Sequence, residues 1–170
     1  MPQIWCMNLI DNRDRTNNRN VNDELKFQLC RERSMLAIGW AIPDVVNTWK
    51  EYKKIADKKY PKSRGYAAAR NNLEKIKKGD LVWTKNPVTG ERFIVEIQDD
   101  YPGIYSSLKE FDTCAYRKGT YYPVSGEDLC GALSEKKISA RHSIEKMGKK
   151  RLDTIEATKE LFNKISEKTV

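Results

Sequence analysis

The sequence predicts an α+β fold: a small, partly open β-barrel with flanking helices and a helical C-terminus. Three observations lead there. Short apolar runs, "QIWCMNLI", "MLAIGWAIPD", "DLVWT", "RFIVEIQ" and "TYYPV", are each bounded by turn-forming residues. Two helix-like stretches, 45–58 and 66–78, fall between the second and third of these runs. From Ser134 onward the chain turns helical, with Leu152, Ile155, Leu161, Phe162 and Ile165 at near-helical spacing. Short strands that bracket a helical insertion can bury their apolar faces by curling into a barrel with helices packed at its ends.

In chain order, "QIWCMNLI" is the first strand, stopped by the polar "DNRDRTNNRN", which reads as a surface loop. "MLAIGWAIPD" is a buried strand ending near Gly39-Trp40, with Pro43-Asp44 as a stop and helix start. In the helix over 45–58, Val46, Trp49, Tyr52 and Ile55 drift slowly around one face, which places Trp49 in the core. "YPKSRG" interrupts, and the next helix runs from Tyr66 to Lys78 with Gly79 as its C-cap. "DLVWT" and "RFIVEIQ" form a hairpin across Pro87 and Gly90. Two further strands, around 113–117 and 120–124, let the sheet close on itself.

A length of 170 residues suits one domain with a real core, here 1–170 with a helical extension from about Ser134. The formal charge of +8 makes a polyanion the natural partner, although a basic surface also serves solubility. "MPQIWCMNLIDNRD" has neither the basic start nor the sustained apolar run of a signal peptide, and no stretch approaches a membrane span, so a cytoplasmic location and no membrane partner are expected. Cys6, Cys30, Cys114 and Cys130 stand singly and His142 is the only histidine, a pattern that offers no metal site and implies no cofactor. There is no Gly-rich phosphate loop and no nucleophile elbow, so an enzyme is not the expectation.

"ARNNLEKIKKGDLVW", "RFIVEIQDDYP" and the N-terminal "IWCMNL" together resemble the signature of EVE domains in the PUA-like superfamily. In that family a Tyr-x-Ala-Arg-Asn-x-Leu helix leads through Gly-Asp into a strand, with Tyr-Pro after the next strand. "LAIGWAIPD" and "LSEKKISARHSIEKM" are similar to the PUA-like modules at the N-termini of modification-dependent restriction enzymes. The resemblance implies a PUA-like (EVE-like) barrel with a pocket for a single, often modified, nucleobase. Relatives such as YTH domains take that base between aromatic side chains.

An unstacked base needs aromatic faces and hydrogen bonds to its polar edge. Trp40 and Trp83 lie at or near strand ends, and Trp5 is on the first strand; each also has a core-packing reading. Asn71 and Asn72 offer both donors and acceptors, Arg70 only donors, and Tyr101 is a pocket-wall candidate. Phosphate contacts are expected from Arg64 and from a basic segment, Lys136, Lys137, Arg141, Lys149, Lys150 and Arg151, with Lys146 among them and only Glu145 opposing.

These residues lead to a module that recognises a modified base, cytosine or adenine, in nucleic acid, DNA favoured over RNA. An anti-phage defence or restriction-modification setting, with a separate effector protein, follows from the resemblance. A different class is a protein-interaction or free-nucleotide-binding module of a defence system. The third reading, a small hydrolase acting on a modified nucleoside, rests on Asp100 and Cys6 and ranks last.

Overall fold

The computed structural model describes residues 1–9, 19–105, 114–141 and 143–168. The elements are β1 (Ile4–Met7), α1 (Arg19–Glu32), β2 (Met35–Ile38), α2 (Trp49–Lys59), α3 (Arg64–Lys75), β3 (Leu81–Lys85), β4 (Arg92–Ile97), β5 (Gly103–Ile104), β6 (Ala115–Val124), α4 (Glu135–Ile138), β7 (Ile144–Lys146) and α5 (Leu152–Glu167). The strands form one curled seven-stranded sheet in the order β2-β6-β4-β3-β1-β7, with β5 beside β6. β1 and β3 run parallel, with Cys6 opposite Trp83, and the remaining pairs are antiparallel.

Period-two alternation puts apolar side chains on both faces of this sheet. Trp5, Met7, Val82, Phe93, Val95 and Ile97 point to a core shared with α1, α2 and α3. Ile4, Cys6, Leu81, Trp83 and Ile94 point to a second core closed by α5, through Leu161, and by Ile138 and Met147. A sheet covered on both sides explains why β1 reads as a continuous apolar run.

β6 is one ten-residue strand where the sequence reads as two. Its first half pairs with β2, Met35 opposite Lys118, and its second half with β4, Ile97 opposite Gly119. Gly119 sits at the changeover, where a Cβ would lie 2.4 Å from the Val95 Cγ1, so only glycine fits the crossing. The change of partner curls the sheet.

Other expectations are corrected as well. α1 is absent from the sequence reading because its buried positions, Asp23, Lys26, Phe27 and Cys30, mix charge with apolar residues and hide the helical stripe. Most of the predicted loop, 11–18, lies outside the described residues, as does His142. The helical stretch expected from Ser134 contains β7, whose three residues pair with β1, Trp5 opposite Lys146. α2 starts at Trp49, behind a capping box in which Thr48 Oγ1 accepts from the Glu51 N–H and the Glu51 carboxylate accepts from the Thr48 N–H. α3 starts at Arg64, where Ser63 Oγ accepts from the Tyr66 N–H, and ends at Lys75. Gly79 is therefore not its C-cap: it lies in the following turn at φ +83°, donating its N–H to the Ile97 carbonyl.

No helix among the described residues is long and apolar enough to cross a membrane.

Candidate functional site

A cavity of about 460 Å³ opens where the two edges of the sheet come to α3. The edge strand β2 and the segment leaving it bring Ile38, Gly39 and Trp40; the other edge brings Ser143, just before β7, and Ile144 of β7; Asn8 extends from the end of β1. α3 forms the third side with Arg64, Gly65, Ala68 and Ala69, and Arg141 stands at the rim. Small ligands commonly occupy cavities of ~300–1,000 Å³.

Trp40 is the aromatic wall of this cavity. It is half-buried and its backbone is left-handed at φ 64°, a conformation strongly disfavoured for a bulky side chain. Neighbouring groups hold it there. The Tyr52 hydroxyl donates to the Trp40 carbonyl at 2.9 Å, while the Tyr60 hydroxyl and the Lys59 ammonium both donate to the Ala41 carbonyl, at 2.7 and 2.9 Å. The indole meets the edge of Tyr66 at 6.1 Å and passes over Gly65, whose missing side chain leaves that part of the ring open.

The polar groups around the ring are donors suited to an anion. The guanidinium groups of Arg64 and Arg141 and the Ser143 hydroxyl have no protein partner among the described residues, and no acidic side chain lines the cavity. The first turn of α3 faces the same space through Arg64 and Gly65, which adds the positive end of a helix dipole. Asn8 and Asn72 frame this arrangement by tying its strands: Asn8 donates through its backbone N–H to the Ser143 carbonyl and through its side chain to Ala140, and the Asn72 amide donates to the Ile144 carbonyl at 2.9 Å.

The other expected base contacts lie elsewhere. Trp83 is 1% exposed on the opposite face of the sheet, and its ring N–H donates to Thr158 of α5 at 3.0 Å. Trp5 is equally buried and donates its ring N–H to Asp80, whose carboxylate also accepts from the N–H groups of Gln3 and Lys77. The Gly-Asp of the sequence signature is thus the polar anchor of the turn into β3. Arg70 is spent on Asp57 at 2.6 Å and on the side chain of its neighbour Asn71. Tyr101 is 79% exposed in the turn between β4 and β5 and does not line the cavity. Trp49 is half-buried, stacked on Tyr52 with centroids 5.5 Å apart.

Of the expected phosphate contacts, Arg64 and Arg141 reach the cavity. Lys136, Lys149 and Lys150 are exposed, Lys137 pairs with Asp153 at 2.9 Å, and Arg151 pairs with Glu145 at 3.4 Å. The hydrolase candidates are not at the cavity either. Cys6 lies in the α5-side core, where burial pushes its thiol up to about 12, and Asp100 is exposed in the turn before β5. Among the described residues no group of His, Cys, Asp and Glu has the arrangement of a metal site.

Compared with family models, with curated proteins and with solved structures, the chain matches none.

Proposed function

We propose that this protein is a nucleic-acid-binding module that takes a single unstacked nucleobase onto Trp40, with the attached phosphate held by Arg64, Arg141 and the first turn of α3. The observation that carries the reading is Trp40 itself: a half-exposed indole, kept in a strained backbone by three donors from α2 and its C-cap, forming the wall of a cavity lined, among the described residues, by neutral and cationic groups. Strain of this kind costs ~1–3 kcal/mol and clusters at functional sites. Base stacking on an aromatic ring is worth ~1–3 kcal/mol and tolerates any base, so selectivity for a modified base rests on what the cavity's rim admits.

The resemblance to EVE domains and to the PUA-like modules of modification-dependent restriction enzymes supports the same reading and favours a modified cytosine or adenine in DNA over RNA. On that reading the chain is a reader that works with a separate effector in anti-phage defence.

Titration of intrinsic fluorescence with short oligonucleotides carrying cytosine, 5-methylcytosine, 5-hydroxymethylcytosine, adenine or N6-methyladenine tests it. Trp5 and Trp83 are sealed in the two cores and Trp49, half-buried on Tyr52, does not line the cavity, so a ligand-dependent quench is expected to come from Trp40, to vanish in Trp40→Phe and to persist in Trp49→Phe. Identical curves for every base, or a quench that persists in Trp40→Phe, would sink the assignment. Titration with a free mononucleotide distinguishes the alternative of a nucleotide-binding module, since that ligand would then bind as well as the oligonucleotide.

Gly65→Leu separates binding from folding. A Cβ at Gly65 comes 3.5 Å from the Trp40 ring, an ordinary contact, and because Gly65 lines the cavity a leucine there is expected to take up its space. Helix propensity predicts a gain of ~0.5–1 kcal/mol over glycine. The expected result is an unchanged or higher Tm with at least tenfold weaker oligonucleotide binding; undiminished affinity would place the ligand elsewhere.

A further inference from the structure

We propose that the phosphate backbone of the bound strand is carried by a basic ridge along α2, formed by Lys50, Lys54 and Lys58 and continued through Lys62 to Arg64 at the cavity rim. The proposal rests on the reading of that cavity as a base site. It differs from the expectation drawn from charge density, which puts the track on the C-terminal basic segment.

The ridge follows from helical geometry. Tyr52 and Ala56 are the buried residues of α2, and positions two residues away lie ~200° around the axis, so Lys50, Lys54 and Lys58 form one line on the face opposite the core. All three are exposed, as are Lys62 and Arg64. At a rise of 1.5 Å per residue the three lysines span ~12 Å, about the axial length of three to four nucleotide steps.

The lysines off this line have work inside the protein, and those on it have none. Lys53 pairs with Glu74 at 2.8 Å, and Lys59 donates to the Ala41 carbonyl behind Trp40. Lys50, Lys54, Lys58 and Lys62 have no hydrogen-bond or ion-pair partner among the described residues. The two acidic residues of α2 are occupied elsewhere: Glu51 closes the N-terminal capping box, and Asp57 accepts from both the Tyr66 hydroxyl and Arg70. Like charges at i and i+4 destabilise a helix, so an unbalanced line of this kind is a local cost without internal compensation. Two of the C-terminal cations, in contrast, are already neutralised by Asp153 and Glu145.

The direction of the ridge selects its partner. α2 ends against Ala41, and the turn that follows delivers Arg64 to the cavity beside Trp40. A linear polyanion that places one unit on Trp40 and continues outward on this side runs along the lysines.

The test measures oligonucleotide affinity against salt concentration for three proteins: wild type, the triple variant Lys50→Gln, Lys54→Gln, Lys58→Gln, and the triple variant Lys136→Gln, Lys149→Gln, Lys150→Gln. Glutamine matches lysine in helix propensity, and circular dichroism checks that α2 is retained. With ~0.9 counterions released per duplex phosphate neutralised, or ~0.7 per single-strand phosphate, the α2 variant is expected to flatten the slope of log K against log salt by about 2–3. The C-terminal variant is expected to change it by less than 1, and both should keep the wild-type preference among bases. An unchanged slope in the α2 variant, an equal or larger change in the C-terminal one, or no binding by wild type at low salt would overturn the ridge. So would poly-glutamate binding as tightly as the oligonucleotide with the same dependence on the α2 lysines, since the surface would then be a general dock for acidic polymers. If the slope behaves as expected and wild type shows no preference among bases, the ridge stands and the pocket reading falls.

Discussion

Arg117→Met is expected to destabilise the protein by about 3–5 kcal/mol, the cost of removing the fully buried partner from an ion pair whose carboxylate, Asp99, is itself mostly buried. Arg117 is completely buried in β6, and every direction its guanidinium points is occupied. It donates to the Asp99 carboxylate at 2.7 Å and to the Asp99 carbonyl at 2.6 Å, and reaches across to the carbonyls of Leu73, at 2.9 Å, and Ile76. The latter two belong to the end of α3, where helix carbonyls lack intrahelical partners. One side chain therefore caps α3, closes the turn after β4 and fixes both to β6. Methionine fills part of the volume but leaves the Leu73 and Ile76 carbonyls without a donor and the Asp99 carboxylate without its cation. For a chain of this size that loss corresponds to a drop in Tm of roughly 6–20 °C.

The double variant Arg117→Met, Asp99→Leu makes the outcome interpretable. If the cost of the single variant is mainly a stranded carboxylate, removing both charges recovers a large part of it, because a buried pair replaced by apolar groups of similar volume is often near neutral. If it is mainly the uncapped end of α3, the double variant stays as unstable as the single one. A single variant within ~1 kcal/mol of wild type, read from urea midpoints, would show that the clamp contributes little to stability.

The clamp also marks where sequence reasoning reaches its limit. "QDDYP" reads as a solvated turn or as a carboxylate for an exocyclic amine, since Arg117 is 18 residues away and looks like any cation in a strand. The helix–turn–strand order of "ARNNLEKIKKGDLVW" and the hairpin after it were legible, because period and turn chemistry are local. The assignment of the tryptophans was not. In β3, Leu81 and Trp83 share one face and Val82 and Thr84 the other, and nothing local says that α5 covers the first. The local signal for a cavity-lining ring is at Gly39-Trp40, where an aromatic residue leaves a strand just before Pro43 and enters a connecting loop, the kind of segment that often carries function. The lysines of the proposed α2 ridge are visible in the sequence as a lysine every fourth residue from Lys50 to Lys58. Density of charge points to 136–151, and the pairing of Lys137 is invisible there because Asp153 lies outside that window.

Replacing Trp40 by alanine and by glycine is expected to weaken binding to the preferred oligonucleotide by the same factor, about 5–150-fold, the loss of a stack worth ~1–3 kcal/mol. The two variants should differ in stability in the opposite sense from most helix or strand sites. At φ 64° glycine carries no steric penalty, whereas alanine retains a cost of ~1–2 kcal/mol, so Trp40→Gly is expected to be the more stable of the two by about 1 kcal/mol. This pairing separates a functional ring from a structural one. If the indole binds the base, affinity depends on its absence alone, and the stability difference leaves no trace in the Kd. If Trp40 only holds the β2 exit and the start of α3 together, affinity follows the integrity of that region, and the glycine variant binds better than the alanine variant. Salt dependence adds an independent check. Stacking releases no counterions, so both variants should shift the line of log K against log salt downward without changing its slope. A change in slope at Trp40 would mean that the ring acts by positioning Arg64 and the lysines behind it, and that the base is not where the cavity suggests.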